Sequence, residues 1–200
     1  MRILITSDTH GQLSRFWEVF NKLMKDSPVQ AIVHCGDYYK DAEEIRRRAG
    51  VPVFAVKGNC DGDFSDEGYM ILETEAGDFL IVHGHRQDVG YDLQKLYYKT
   101  VEEGCVGAFF GHTHRSVYID IDGIKLMNPG SLSRPRDGQG GTFGIIDTDD
   151  CNVWGKIYRY SDFIEYPGGS NNSEGSKGRK RKAKVTAGKL RELLNYSDRF

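Results

Sequence analysis

Apolar residues recur along the chain as short runs separated by stretches of helical period. Residues 1–7 carry Ile3-Leu4-Ile5 and read as a strand. Leu13, Phe16, Trp17, Phe20, Leu23 and Met24 follow at helical spacing, with Pro28 beyond the end. Residues 31–35 form a second run that closes at Gly36-Asp37. Residues 41–49 read as a short helix, with Asp41 as its N-cap and Gly50 just past its end. Residues 51–56 form a third run ending at Gly58-Asn59. This β-α-β-α-β order predicts parallel strands joined by crossover helices.

The pattern then changes. Residues 69–75 and 79–82 read as a hairpin around Ala76-Gly77-Asp78. Leu93, Leu96, Tyr97 and Val101 mark a helix closed by Gly104, and residues 106–110 a strand ending at Gly111-His112. Residues 117–127 alternate around Asp122-Gly123, a strong hairpin signal. Residues 142–147 and 153–160 flank a further hairpin turn. Parallel units followed by antiparallel strands predict a layered α/β sandwich with two sheets.

Composition narrows the class. At 38% hydrophobic residues the 200-residue chain has enough apolar content for one core without disulfides. No run approaches the ~18 apolar residues of a membrane span. The first apolar run is too short for a signal-peptide core, which predicts a cytoplasmic protein. Cys35, Cys60, Cys105 and Cys151 show no CxxC spacing, so reduced thiols are expected, with Cys35, Cys105 and Cys151 as small hydrophobes. Residues 1–167 hold 18 basic and 26 acidic side chains, whereas residues 168–200 hold 9 and 3. The division predicts an acidic domain over 1–165 and, over 166–200, a Gly/Ser linker with a basic tail and a short helix around Leu190, Leu193 and Leu194. An acidic body is not the footprint of a general nucleic-acid binder, and the tail reads as solvated rather than as a specific nucleic-acid arm.

Chemistry-bearing residues gather at the polar ends of the apolar strands. They are Asp8-Thr9-His10, Gly36-Asp37, Gly58-Asn59-Cys60-Asp61, His83-Gly84-His85 and Gly111-His112-Thr113-His114. Carboxyl ends of parallel strands are where ligands bind in open α/β sheets, and strands of one sheet would bring these blocks together. Carboxylates, an amide oxygen and imidazoles suit a divalent metal such as Mn, Fe, Ni or Zn. There are more donors than one ion takes, which points to two ions bridged by a carboxylate. In extended chain Asp8 and His10, or His112 and His114, would face the same side and grip metal from one segment. Gly36, Gly58, Gly84 and Gly111 would permit tight turns and close backbone approach.

These blocks, in this order, resemble the calcineurin-like metallophosphoesterase superfamily. Gly58-Asn59-Cys60-Asp61, Asn128-Pro129-Gly130-Ser131 and the short length resemble its small bacterial and archaeal phosphodiesterases, the YfcE-type branch, over about residues 1–160. The resemblance implies a four-layer αββα sandwich of two mixed sheets with the metal site at the carboxyl ends of the strands. It implies that Asp8, His10 and His114 hold one metal, Asn59, His83 and His112 the other, and that Asp37 bridges both. It implies a metal-bridged hydroxide attacking phosphorus in line, with Asp37, Asn59 and Asp61 as catalytic residues and manganese as the expected metal. Small phosphodiesters or nucleotides are then the substrates. A homo-oligomer is compatible with this and a membrane partner is not.

Many superfamily members carry histidine at the position of Cys60. A thiol is a weak hydrogen-bond donor, so substrates with good leaving groups are expected. Cys60, His85, Arg115 and Arg134 are candidate substrate contacts, and Asp61 a group that orients a ligand. His34 matches no ligand position and is expected to be a hydrogen-bonded core histidine. The Phe16/Trp17/Phe20 stripe is expected to pack helix on sheet, and Arg46-Arg47-Arg48 to lie on a solvated face. The alternatives are a phosphomonoesterase or nucleotide pyrophosphatase using the same residues, or a protein-interaction scaffold resembling the retromer scaffold subunit. A competent donor at every ligand position favours the enzyme.

Overall fold

The computed structural model of the protein describes residues 1–62 and 67–164. The first sheet contains β1 (Arg2–Thr6), β2 (Ala31–His34), β3 (Val53–Ala55), β9 (Thr142–Thr148) and β10 (Val153–Arg159). The second contains β4 (Tyr69–Leu72), β5 (Phe79–Val82), β6 (Gly107–Phe109), β7 (Ser116–Ile121) and β8 (Ile124–Pro129). The orders are β10-β9-β1-β2-β3 and β4-β5-β6-β8-β7. β1, β2 and β3 pair in parallel, as do β5, β6 and β8; the outer pairs β1–β9, β9–β10, β4–β5 and β7–β8 are antiparallel. The helices are α1 (Ser14–Asp26), α2 (Tyr39–Arg48), α3 (Gln94–Glu102) and α4 (Tyr160–Ile164).

The two-residue period of the strands sorts side chains into three apolar layers. Leu4 and Ile32 face α1 and join Phe16, Phe20, Leu23 and Ile45. Ile3, Ile5 and Val33 face the other way and meet Phe79, Ile81, Phe109 and Met127 between the sheets. Leu80, Val82, Ala108 and Leu126 pack on Leu96 of α3 and on Leu93 just before it. Helix, sheet, sheet, helix is therefore the layer order, as expected. Full burial of each Leu, Ile or Phe contributes about 1.5–3 kcal/mol. Such burial, rather than intrinsic strand preference, holds elements as short as the three-residue β3 and β6.

Local expectations fared unevenly. Asp122 and Gly123 take the left-handed conformations a tight hairpin needs, with φ of 49° and 93°. Asp41 is not the cap of α2. That helix begins at Tyr39, after Tyr38 in a left-handed conformation, and Asp41 lies inside the first turn. Helix α4 has too few residues for a periodic signal; Phe163 and Ile164 hold it against the α1 layer. Phe16 and Phe20 are core, as their spacing predicts. Arg48 pairs with Glu44 and covers Trp17 at 4.2 Å. Cys35 and Cys105 are buried, but Cys151 is exposed at the β9–β10 turn, so it is not a core hydrophobe. The expected linker, basic tail and terminal helix of 166–200 lie outside the described residues.

Candidate metal centre

The five blocks meet, but not on one sheet. Asp8 and His10 follow β1, Asp37 follows β2 and Asn59 follows β3; His83 follows β5, and His112 and His114 follow β6. The centre thus spans the carboxyl ends of both sheets. A crossing bond ties the halves together: His83 Nδ1 lies 2.8 Å from the carbonyl oxygen of Cys35.

The backbone at the site departs from the extended chain expected of alternating ligands. Asp8, His10, Asp37, His112 and His114 have φ of 55°, 48°, 58°, 69° and 57°. Each residue is held left-handed, a conformation that Asp and His tolerate better than most, at about 1–2 kcal/mol apiece. Asp8 and His10 reach one point because the chain coils between them, whereas His112 and His114 diverge, His114 towards Asp8 and His112 towards Asn59. Close approach does depend on the glycines. A Cβ at Gly36 would lie 2.7 Å from His83 Nδ1, and one at Gly58 would overlap Asp37 Oδ1.

Asp8, His10, Asp37 and His114 offer donor atoms all within 4.8 Å of one another. His10 Nε2 lies 3.2 Å from His114 Nε2 and 3.8 Å from Asp37 Oδ2. On the other side of Asp37, His83 Nε2 is 3.4 Å from Asp37 Oδ1 and 3.0 Å from Asn59 Oδ1. His112 Nδ1 is 2.9 Å from the same amide oxygen. Asp37 therefore stands between two sets of donors, one with Asp8, His10 and His114, one with Asn59, His83 and His112.

Ring protons indicate which atoms face inward. A carbonyl oxygen only accepts, so His83 Nδ1 donates to Cys35, and His114 Nδ1 donates to Arg134 O at 2.7 Å. The Nε2 atoms of both rings then face the centre. His114 Nε2 lies 3.3 Å from Asp8 Oδ1, which is buried and receives no hydrogen bond. Two acceptors face each other there, and a cation or a proton reconciles them. The ionisation of His114 reflects this: burial disfavours its charged form, but Asp8 outweighs burial and raises its pKa. Burial lowers the pKa of His10 and, with nearby His83, that of His112. Burial also opposes the charge on Asp8, yet His114 and His83 hold its pKa below the usual value. Buried carboxylates beside imidazole nitrogens are a donor set that fits divalent metal ions.

Further side chains fix this arrangement. His34 Nδ1 accepts from Gly36 N–H, and its Nε2 lies 3.0 Å from Thr9 Oγ1, which donates to Asp41 Oδ2 at 2.6 Å. Asp41 Oδ2 also accepts from Gly11 N–H at 2.8 Å. The turn carrying Asp8 and His10 is thus tied to β2 and α2, and His34 is the hydrogen-bonded core histidine expected. Ser131 and Ser133 donate to Asp8 O at 2.9 and 3.1 Å. Asn128 Nδ2 donates to Gly111 O at 2.8 Å. The roles of Thr9, Asp41, Ser131 and Ser133 were missed; the turn chemistry of Asn128-Pro129-Gly130-Ser131 was the available signal.

The remaining candidates divide. The Asp61 carboxylate accepts from Tyr39 N–H at 2.7 Å and Gly58 N–H at 2.8 Å, closing the turn that carries Asn59. Cys60 is exposed, and its backbone N–H donates to Asp37 Oδ1 at 3.0 Å. Burial, then Asp37, pushes its thiol up to about 11. His85 comes to the centre, its ring 5.3 Å from His83 and 6.2 Å from His112. Arg134 supplies its carbonyl to His114, and Arg115 follows directly on that histidine.

Clustered carboxylate and imidazole donors at the strand ends form a group that can hold a divalent metal ion on an α/β scaffold. The chain belongs to the calcineurin-like phosphoesterase superfamily, whose domain model matches residues 1–151. It is 32% identical over 160 residues to a probable metallophosphoesterase of Bacillus subtilis, YsnB, covering 79% of this chain and 90% of that one. It is 28% identical over 169 residues to the phosphodiesterase MJ0936 of Methanocaldococcus jannaschii, covering 74% and 94%. A predicted phosphoesterase of Streptococcus pneumoniae superimposes with a TM-score of 0.65 at 28% identity over 84% of this chain and 93% of its own. Vps29 of Entamoeba histolytica, complexed with zinc, superimposes with a TM-score of 0.61 over 80% and 99%, but at 18% identity that likeness extends to the fold alone.

Proposed function

We propose that the protein is a metal-dependent phosphodiesterase that holds two divalent ions, manganese foremost. The observation that carries this reading is the position of Asp37 between two donor sets. Asp8, His10 and His114 would hold one ion, Asn59, His83 and His112 the second, and Asp37 both. When bound, such a pair polarises phosphoryl oxygens and makes water acidic enough to supply hydroxide for attack in line with the leaving oxygen.

The chain's own residues prepare this. His83 and His114 are locked by their carbonyl bonds, so their Nε2 atoms need no reorientation. Asp8 and Asp37 offset the cationic charge. Asp61 is a positioning residue, acting through the turn that carries Asn59. A thiol with a pKa of about 11 is neither nucleophile nor efficient acid, which supports a preference for diesters with good leaving groups. His85, with Arg115 and Arg134, is placed to contact the phosphate. The four cysteines are free, which supports a reducing, cytoplasmic setting. No helix among the described residues is long and apolar enough to cross a membrane. The domain over 1–165 would carry this activity, with 166–200 as an appended basic segment.

The test compares kcat/KM of Mn²⁺-loaded protein for bis(p-nitrophenyl) phosphate and p-nitrophenyl phosphate. The diester is expected to be favoured by about tenfold or more, and Asp37→Asn to abolish both activities. A monoester preference would replace this reading with a phosphatase, and turnover surviving in Asp37→Asn would remove the site from the reaction.

A further inference from the structure

Beside the centre lies a cleft of about 550 Å³, lined by Tyr38, Tyr39, Lys40, Glu43, Lys57 and Cys60 among others. Its inner wall is continuous with the candidate ligands. Tyr38 follows Asp37 in sequence, and its ring meets the His10 ring edge-on at 5.1 Å. Cys60 follows Asn59 and donates its backbone N–H to Asp37. A phosphoryl group held at the centre would therefore direct one of its ester groups along this cleft.

Tyr38 is the unusual member. Its φ is 66°, in a region that bulky residues rarely occupy, and the residue is nevertheless 41% exposed. One edge of this ring rests on His10, and the rest of the side chain is open to the cleft despite the strained turn that carries it. Strain of this kind marks binding and catalytic positions. The surrounding groups have complementary chemistry. Tyr39 adds a second ring, with Lys57 Nζ 5.9 Å from its centroid. Lys40 adds another cation, and Glu43 an acceptor for base N–H groups. Asp61, also at the cleft, is occupied by the backbone N–H groups of Tyr39 and Gly58. The volume suits a planar ring with its sugar.

We propose that this cleft receives the organic group of the substrate, and that this group is a nucleobase stacked on Tyr38. The substrate class is then a nucleotide-type phosphodiester. This inference rests on the phosphodiesterase reading above. It deepens that reading by assigning specificity to Tyr38, a side chain outside both donor sets.

The test is calorimetric titration of the Mn²⁺-loaded protein with AMP and, separately, with inorganic phosphate. Both bring a phosphoryl group to the centre, but only AMP brings a base. AMP is expected to bind about tenfold more tightly, the order of one base–aromatic stack. Tyr38→Asn is expected to lose that advantage, the ratio of AMP to phosphate affinity falling to about one; asparagine accepts the left-handed backbone, so the turn is kept. Tyr38→Phe is expected to retain the advantage. Equal affinity for AMP and phosphate in the unaltered protein, or an AMP advantage that survives Tyr38→Asn, overturns the inference and leaves the phosphodiesterase reading standing. Failure of both anions to bind overturns the two together.

Discussion

His10 and His114, 104 residues apart in the chain, bring their Nε2 atoms to 3.2 Å from each other, with Asp37 Oδ2 3.8 Å from the first. At that distance one ring can donate to the other, or both can turn a lone pair to a shared cation. Beside two buried carboxylates they form a cradle that a cation completes. The same cradle accepts a proton, because Asp8 raises the pKa of His114 against the effect of burial.

Proton and metal should therefore compete. A ligand must be deprotonated to bind metal, and a raised pKa extends the competition to higher pH. Mn²⁺ affinity is expected to fall as pH drops from 8 to 6, by about tenfold per pH unit for each proton displaced. Calorimetric titrations at those two pH values check this. In His114→Gln, already weakened at pH 8, the dependence should be shallower. Equal affinity at both pH values would count against the assignment of His114.

Gly58 should tolerate no side chain. A Cβ there would overlap Asp37 Oδ1 and lie 2.5 Å from Asp37 N. Gly58→Ala is expected to cost about 1–3 kcal/mol in stability and to displace the Asp37 carboxylate. Gly90 has no neighbour within 4 Å of its would-be Cβ, so Gly90→Ala should be close to neutral. Urea unfolding and Mn²⁺ binding of the two variants, side by side, separate the outcomes; full Mn²⁺ affinity in Gly58→Ala would contradict the close approach.

His34 should make the metal-stripped protein acid-sensitive. Burial pushes its pKa down to about 4, against the opposing pull of Asp8, Asp41 and Asp61. In the unfolded chain it titrates near about 6.5. Between these values the unfolded state binds the extra proton. The contribution is thus complete above the unfolded pKa and is lost as pH falls towards the folded one, by about 2 kcal/mol at pH 5. Unfolding free energies at pH 7.5 and 5 test this. The drop should be smaller in His34→Gln by roughly that amount, and an identical drop in both proteins would refute it.

Cys60 marks where leaving-group chemistry can be changed. Its thiol remains protonated at neutral pH, so alkylation by iodoacetamide should be slow despite its exposure. Cys60→His is expected to raise turnover of p-nitrophenyl phosphate towards the ~10²-fold that a positioned acid typically supplies. An unchanged monoester rate in the folded, metal-loaded variant would argue that no acid can act from position 60.

The layers and the meeting of the five blocks were legible because both rest on local patterns: apolar runs such as Ile3-Leu4-Ile5 and polar residues at their ends. The partition between sheets was not, since nothing within Gly111-His112-Thr113-His114 reveals that β6 lies in the second sheet. Nor was the backbone at the ligands. Asp8-x-His10 reads as extended chain, whereas Asp8 and His10 are left-handed in a turn held by tertiary ties to Gly36, Asp41, Ser131 and Ser133. Tyr38 escaped notice for the same reason: its strain arises from the turn between Asp37 and α2, not from its own sequence preference. Asp41 misled because an acidic residue near a helix start usually caps it, whereas here it is drawn to Thr9 and Gly11.

The central claim is that Asp37 joins two metal positions into one catalytic unit. Titration of metal-stripped protein with Mn²⁺, following hydrolysis of bis(p-nitrophenyl) phosphate against equivalents added, tests it most directly. The rate should rise until about two equivalents are bound and then level, with Asp37→Asn inactive throughout. A plateau at one equivalent, or a rate independent of metal, would contradict the account.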